Sequence, residues 1–552
     1  MRDPFLVVVL IVAAALRLYG IDHGLPYVYN PDEVNIMARA LSIARGLDPA
    51  YYLYPSLFFY FLFAIMGALF ALGWAVGSYA SAGAFQAQFF TDPTVFYLAG
   101  RLVGVMSALG TIVVTYLVVR KHFGQAAARA SALLIAVAFV GVRDAHYLKH
   151  DVPSGLLFVL VIWASDRAFE RCDRRSYLIA GVFIGVGFAT HYYMIFLAPA
   201  FVMGHWAFRR FDDFRHVLLT GAVSAATFFV LSPFVVLHFP TALEHMRANR
   251  QVVVDRSFDS GTSLFPSLGL YLEFLWSQGI GVVFFALVLA GIAILAYRSP
   301  RQLTLWGTFP VLFFGFITYT FFAGRYLNPI LPAMAAACGV AVSVIVTRFG
   351  STVAAAVVAI ACVQPVYSAL QIDRLFAGHD TRTLAREWMV ANAEAGDVVA
   401  LQSYSVPLPQ SATSFRDSLA ARGATSELDR GGKYASLLAV AELEDTAFEL
   451  VFLGRGDELN RIYMPYEELA SGLEPLRARG ARYVILRHAP RPPPAAVSAL
   501  FERVRAEGQL VHTVSPFADG QSGTPYIDNE DWAATARLAH KGPLVEIWRI
   551  EP

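Results

Sequence analysis

The chain has 552 residues, of which 57% are hydrophobic and only 15% charged; a soluble globule has about a quarter of its residues charged, so this is a membrane protein. Its 43 basic and 42 acidic residues leave a net charge of +1, which provides no general attraction to nucleic acid and sets that class of partner aside. Of the 42 acidic residues, 25 lie from Asp373 onward, so the chain divides into an apolar domain, 1–372, and a charged domain, 373–552.

Apolar runs that suit about 30 Å of hydrocarbon fall near residues 5–20, 56–77, 96–118, 128–143, 152–167, 177–190, 192–208, 217–238, 271–297, 302–322, 328–347 and 351–369. The first follows Arg2 and has no small-residue cleavage site after it, so it reads as a retained span. Short loops holding Arg120, Lys121 and Arg129, then Arg167 to Arg175, Arg209 to Arg215, Arg298 with Arg301, and Arg348 are expected in the cytoplasm. Parity then predicts that 56–77 is a juxtamembrane or re-entrant element, which leaves about eleven crossings and puts the C-terminal domain outside the cytoplasm. Cys172, Cys338 and Cys362 all lie in or beside apolar stretches and define neither a disulfide nor a zinc framework.

From Asp373 the pattern becomes that of a soluble α/β unit. Helices are expected over 383–392, 467–479 and 495–507, strands over 398–401, 450–453, 482–486, 510–514 and 544–550, and a turn over the Pro-rich 489–494. The expected architecture is therefore an all-α membrane domain followed by a soluble α/β domain.

The expected topology sends four chemically dense segments to the outer face. Tyr29-Asn30-Pro31-Asp32-Glu33 heads an amphipathic stretch, where Pro and acids also suit the opening of a helix. Adjacent carboxylates on a helix diverge by about 100°, so one of the two acts and the other supports. Arg143-Asp144-Ala145-His146-Tyr147-Leu148-Lys149-His150-Asp151 places two acids, two histidines and two cations within nine residues. Anchoring at the interface accounts for Arg143 and Tyr147 but not for Asp151, because a carboxylate at a membrane edge is costly and points to function. Arg325-Tyr326, ahead of Pro329 and Pro332, offers a guanidinium suited to bidentate phosphate binding. Thr190-His191-Tyr192-Tyr193 closes another hairpin. No HExxH pattern, phosphate-binding glycine loop or GxSxG motif is present.

Taken in order, these residues resemble the GT-C glycosyltransferases that use a polyprenyl-phosphate sugar, in particular the protein O-mannosyltransferase and aminoarabinose transferase branch. Asn30-Pro31-Asp32-Glu33 resembles the family's acidic motif in the first external loop, and Tyr54-Pro55-Ser56-Leu57 its Lys-Pro-Pro-Leu or Tyr-Pro-Pro-Leu element. Gly100-Arg101-Leu102 through Lys121 is similar to the next span. His146-Tyr147 with Asp151-Val152-Pro153 resembles the second acidic motif, and Gly185-Val186-Gly187 with Thr190-His191 a Gly-rich span that ends in Thr-Lys in the family. Arg325-Tyr326-x-x-Pro329-x-x-Pro332 is similar to a late signature. Lysine is absent at 54 and 191, and there is no Trp-Trp-Asp motif of the oligosaccharyltransferase kind.

The resemblance implies inverting transfer of a sugar from a polyprenyl-phosphate donor to an acceptor hydroxyl on a protein, lipid or glycan, with the active site outside the cytoplasm of a bacterial inner membrane. Asp32, Glu33 and Asp151 are the catalytic candidates; Lys149, Arg325, His191 and Tyr54 are candidates for the donor phosphate; His146, Tyr147 and Tyr326 are candidates for substrate contact. No cofactor is required, and a divalent metal held by His146 or His150 stays open. The rival from another class is a transporter or flippase of lipid-linked glycans, which predicts broken elements at mid-membrane and repeated halves.

Overall fold

The computed structural model describes residues 3–210, 212, 214–250, 265–402, 404–420, 436–439, 446–454, 463–469, 472–488, 493–518 and 535–551. Most of the Pro-rich turn expected over 489–494 lies outside them. Contacts group the chain into two compact units. One comprises Met1–Ile21, Pro31–Leu69 and Tyr97–Asp373, the other Asp22–Asn30, Phe70–Phe96 and Arg374–Pro552.

The first unit is helical. It opens with α1 (Pro4–Leu18), α2 (Pro31–Ser42) and α3 (Leu57–Ala75). With α4 (Ala82–Thr91) set aside in the second unit, it continues with α5 (Thr94–Val137), α6 (Phe139–Ala145), α7 (Asp151–Arg171) and α8 (Arg174–Thr190). Gly124 breaks α5 with φ +84°, a conformation glycine adopts without penalty. Further helices cover Leu197–Arg209, Phe214–Leu231, Val282–Arg298, Pro300–Thr318, Leu331–Phe349 and Ser351–Ala377. Small residues let them approach closely, as helices do in lipid: a Cβ on Gly185 would lie 2.6 Å from the Ser224 carbonyl.

Among the described residues six helices are long and apolar enough to cross a membrane, and the pair Leu268–Gly279 and Val282–Arg298, bent by 118°, passes as a seventh. The expected count of eleven is not reproduced, because the runs near 5–20, 177–190, 192–208 and 302–322 form helices that do not meet that measure. Leu57–Ala75 does meet it: 19 residues rise about 29 Å at about 1.5 Å each. The predicted juxtamembrane placement of 56–77 therefore gains nothing from its own length and composition. The run 128–143 is not one span either, because the chain turns at Ala138 (φ −57°, ψ 119°) between α5 and α6.

The second unit holds a six-stranded mixed sheet: β1 (Val398–Gln402), β2 (Glu449–Leu453), β3 (Tyr463–Met464), β4 (Ala481–Arg487), β5 (Gly508–Val514) and β6 (Val545–Ile550), in the order β3-β2-β1-β4-β6-β5. The β1, β2, β3 and β4 pairings are parallel, and β6 runs antiparallel to β4 and β5. Helix Ala495–Glu507 buries Leu500 and Val504 with Ala400 and Val484 on one face, and Thr381–Asn392 buries Ala385 and Met389 with Val399 and Ile485 on the other. Burial on both faces explains why these strands read as short apolar runs rather than alternating ones. The helix expected over 467–479 is instead two short turns, Tyr466–Leu469 and Glu474–Arg477.

Candidate active site

The site is built where the start of α2, the 146–151 corner, the turn ending at Tyr54 and the short helix Gly324–Ile330 meet in the first unit. Pro31 opens α2, with Asp32 and Glu33 in its first turn, and the two neighbours take different roles. Glu33 is fully buried: its carboxylate accepts from Arg101 Nε and Nη2, each at 2.9 Å, and from the Leu148 amide at 2.8 Å. A carboxylate with its lone pairs spent in a buried bidentate pair ties α2 to α5 and to the 146–151 corner.

Asp32 keeps 43% of its side chain accessible. Its Oδ2 lies 2.9 Å from Lys149 Nζ and 3.8 Å from Arg325 Nη2. The charge of Lys149 holds the Asp32 carboxyl well below the usual carboxylate range, against the opposing effect of burial. Asp151 begins α7 and is 2% exposed; its Oδ2 lies 3.9 Å from Arg325 Nε, and among the described residues its Oδ1 has no hydrogen-bond partner. A single guanidinium thus stands between two carboxylates, slightly too far from either for a hydrogen bond.

The backbone around Arg325 is pinned by Asn328, whose Nδ2 donates to the Arg325 carbonyl at 2.9 Å and to Asp144 Oδ2 at 2.6 Å. Gly155 allows α7 to pass this segment, since a Cβ there would lie 2.9 Å from the Asn328 carbonyl. Next to the charges is an aromatic wall. Ring centroids of Tyr54 and His150 are 4.6 Å apart, those of His150 and His191 4.4 Å, and His191 stacks on Tyr193 at 3.7 Å. Tyr193 also lies 6.2 Å from Tyr326, whose ring is 5.1 Å from the Arg325 guanidinium carbon. Burial pushes the His150 imidazole down to about 3 and the His191 imidazole well below its usual range, so both are neutral at pH 7. The His191 Nδ1 accepts from the Tyr193 amide at 3.3 Å, which assigns the proton to Nε2 and makes that atom a donor.

Of the residues singled out in the sequence, Asp32, Asp151, Lys149, Arg325, His191, Tyr54 and Tyr326 converge here. His146 does not: its Nδ1 and Nε2 lie 2.9 and 3.0 Å from the carbonyls of Val142 and Tyr19. Tyr147 is buried, with Lys149 Nζ 5.3 Å from its ring centre. Arg101 and Asn328 were not singled out as site residues, and Tyr193 only as the last residue of the Thr190-His191-Tyr192-Tyr193 hairpin. Arg101 was signalled as an isolated cation inside an apolar run, Asn328 by its place in the Arg325 motif.

The model of the family described as dolichyl-phosphate-mannose-protein mannosyltransferase matches residues 94–237, the stretch holding α5 to α8 and the 146–151 corner. The oligosaccharyltransferase of Archaeoglobus fulgidus, in its complex with zinc and sulfate, superposes with a TM-score of 0.50 at 14% identity over 99% of this chain and 88% of its own. This chain shares the fold of that oligosaccharyltransferase. ArnT from Cupriavidus metallidurans in the apo state aligns over 98% of this chain and 97% of its own at 16% identity, with a TM-score of 0.45. No curated protein sequence matches this chain.

The donor set does not favour a metal at this site. Among the described residues the group with suitably converging donors is His122, Asp166 and Glu170. Asp166 lies 15 residues along α7 from Asp151, about 22 Å at the helical rise. Lys121 already occupies it, with Nζ 2.7 Å from Asp166 and 2.5 Å from Glu170. His146 is withdrawn as a ligand because both ring nitrogens face carbonyls.

Proposed function

We propose that this integral membrane glycosyltransferase moves a sugar from a polyprenyl-phosphate donor to an acceptor hydroxyl on the extracytoplasmic face, with inversion, and that Asp32 is the general base. The observation that carries this reading is the meeting of a half-exposed carboxylate, Asp32, with the two cations Lys149 and Arg325. Without donor, the charges of Asp32, Asp151, Lys149 and Arg325 cancel. A donor phosphodiester entering between the cations takes over their charge, releases Asp32 from Lys149 and raises its basicity. Phosphate binding therefore arms the base.

In the reaction the acceptor hydroxyl gives its proton to Asp32 as its oxygen bonds to the anomeric carbon. The bond from that carbon to the phosphate oxygen breaks, and the electron pair stays on the phosphate, where Lys149 and Arg325 stabilise the growing charge. Asp151, with its bare Oδ1, holds sugar hydroxyls and orients Arg325. His191, neutral, contributes an N–H rather than a charge, and Tyr54 and Tyr326 line the path of the head group. Glu33 positions Asp32 and takes no proton.

Support for the donor class comes from the match of residues 94–237 to the family described as dolichyl-phosphate-mannose-protein mannosyltransferase. The test is turnover of purified protein with a panel of polyprenyl-phosphate sugars and a hydroxyl acceptor, with the anomeric configuration of product read by NMR. Release of polyprenyl phosphate with an inverted product is expected; retention of configuration overturns the single-displacement scheme.

A further inference from the structure

Arg17 lies one residue before the end of α1 and is fully buried. An arginine enclosed among apolar helices is costly enough to call for a function. Its Nη1 donates to the carbonyls of Ala13 at 3.0 Å and Ala136 at 2.9 Å, and its Nη2 to that of Ile135 at 2.9 Å. In an unbroken helix the amides of residues 139 and 140 would bond the carbonyls of Ile135 and Ala136. The extended backbone at Ala138 removes those amides, and carbonyls left bare away from water are strongly unfavourable. Arg17 supplies the two missing donors.

The break sets the direction of α6, all seven residues of which are buried. Close passage by Arg17 suits Gly141, where a Cβ would stand 3.4 Å from Arg17 Nη2. Two residues beyond Arg17, the Tyr19 carbonyl meets His146 Nε2 at 3.0 Å, so the end of α1 grips α6 at its start and just past its end. Leu148, bound to Glu33, and then Lys149 follow directly.

We propose that Arg17 is a positioning residue of the active site: by capping the break between α5 and α6 it holds the Lys149–Asp151 corner where Asp32 and Arg325 meet it. The proposal rests on the reading of Lys149 as a phosphate ligand and is tested by measuring affinity for undecaprenyl phosphate in nanodiscs. Arg17→Met keeps bulk and removes the donors; its affinity is expected to fall at least tenfold, about 1.4 kcal/mol. Arg17→Lys, which restores a cationic donor, is expected to stay within about threefold of wild type, about 0.65 kcal/mol on the same scale. In turnover, the acid limb of the Arg17→Met pH profile is expected to move up, because Asp32 loses the charge that keeps its carboxyl low; a fold weakened without displacement of Lys149 lowers the rate at every pH alike. If Arg17→Met does not fold, Arg17→Gln, which keeps neutral N–H donors but no charge, takes its place, with binding weaker than in Arg17→Lys expected and binding equal to wild type overturning the proposal. Wild-type binding in Arg17→Met, or Arg17→Lys no better than Arg17→Met, overturns the proposal. Lys149→Met is the control: weakened binding there beside wild-type binding in Arg17→Met overturns the role of Arg17 alone, and undiminished binding in Lys149→Met overturns the phosphate reading with it.

Discussion

Helix α7 carries charged clusters at both ends, and they are built on opposite principles. At its last turns Lys121, 44% accessible, bonds Asp166 and Glu170, and His122 reaches Asp166 at 2.9 Å. Every carboxylate there has a partner at bonding distance, as in a solvated network that ties α5 to α7. At its first turn Asp151 is buried with one oxygen bare, and Arg325 stands 3.8 and 3.9 Å from two carboxylates without closing on either. Charges left incompletely paired in a buried place cost stability and mark sites where a ligand completes the set. A related contrast lies within a single turn of α2, where Glu33 is fully buried and Asp32 keeps 43% of its side chain accessible.

Four comparisons test this contrast, and the largest effect is expected at Asp32, the proposed base. Asp32→Asn is expected to lower kcat by about 10²- to 10⁴-fold, the usual range for a general base, whereas Asp166→Asn at the opposite end of α7 changes it by less than about twofold, as for a partly solvated pair. Next come the cations. Lys149→Met or Arg325→Lys should cost about 10²- to 10³-fold in kcat/KM, since lysine loses the planar fork that can serve phosphate; Lys121→Met at the other end should leave kcat/KM unchanged. The third effect is on folding. Glu33→Gln breaks a buried pair and is expected to destabilise the protein by about 3–5 kcal/mol, read by thermal or denaturant unfolding in detergent, while loss of Lys121 costs about 0–1 kcal/mol.

The smallest effect is on pH dependence. Asp32 titrates below its ordinary range because of Lys149, so in wild type it stays ionised throughout mild acid and the acid limb of kcat/KM lies low. Lys149→Met lets the carboxyl rise, and the acid limb moves to higher pH. With His150 pushed down to about 3, no inflection from it is expected between pH 5 and 8, and His150→Gln should leave the shape of the profile in that window unchanged.

Much of this organisation was legible in the sequence. Five of the six strands fall within two residues of their expected bounds, because β-rich apolar runs bounded by polar turns carry a strong local signal. The acidic and basic residues that converge were marked by their position at the mouths of apolar runs. Three features were hidden. The saturation of Glu33 depends on Arg101, 68 residues away, and adjacent carboxylates look alike until their partners are known. The break at Ala138 has no glycine or proline to announce it and is stabilised by Arg17, 121 residues earlier in the chain. The number of crossings depends on helix lengths that apolar runs fix poorly, since several runs form shorter or more polar helices than hydropathy suggests.

The most direct test of the central claim is a comparison of wild type and Asp32→Asn, matched for folding and for affinity toward undecaprenyl phosphate, in release of polyprenyl phosphate from a polyprenyl-phosphate sugar. The account predicts turnover in the wild type and its near-complete loss in Asp32→Asn with donor binding retained. Equal turnover in the two proteins contradicts Asp32 as the base, and movement of lipid-linked glycan across a vesicle bilayer with no donor cleaved contradicts the transferase reading in favour of a transporter.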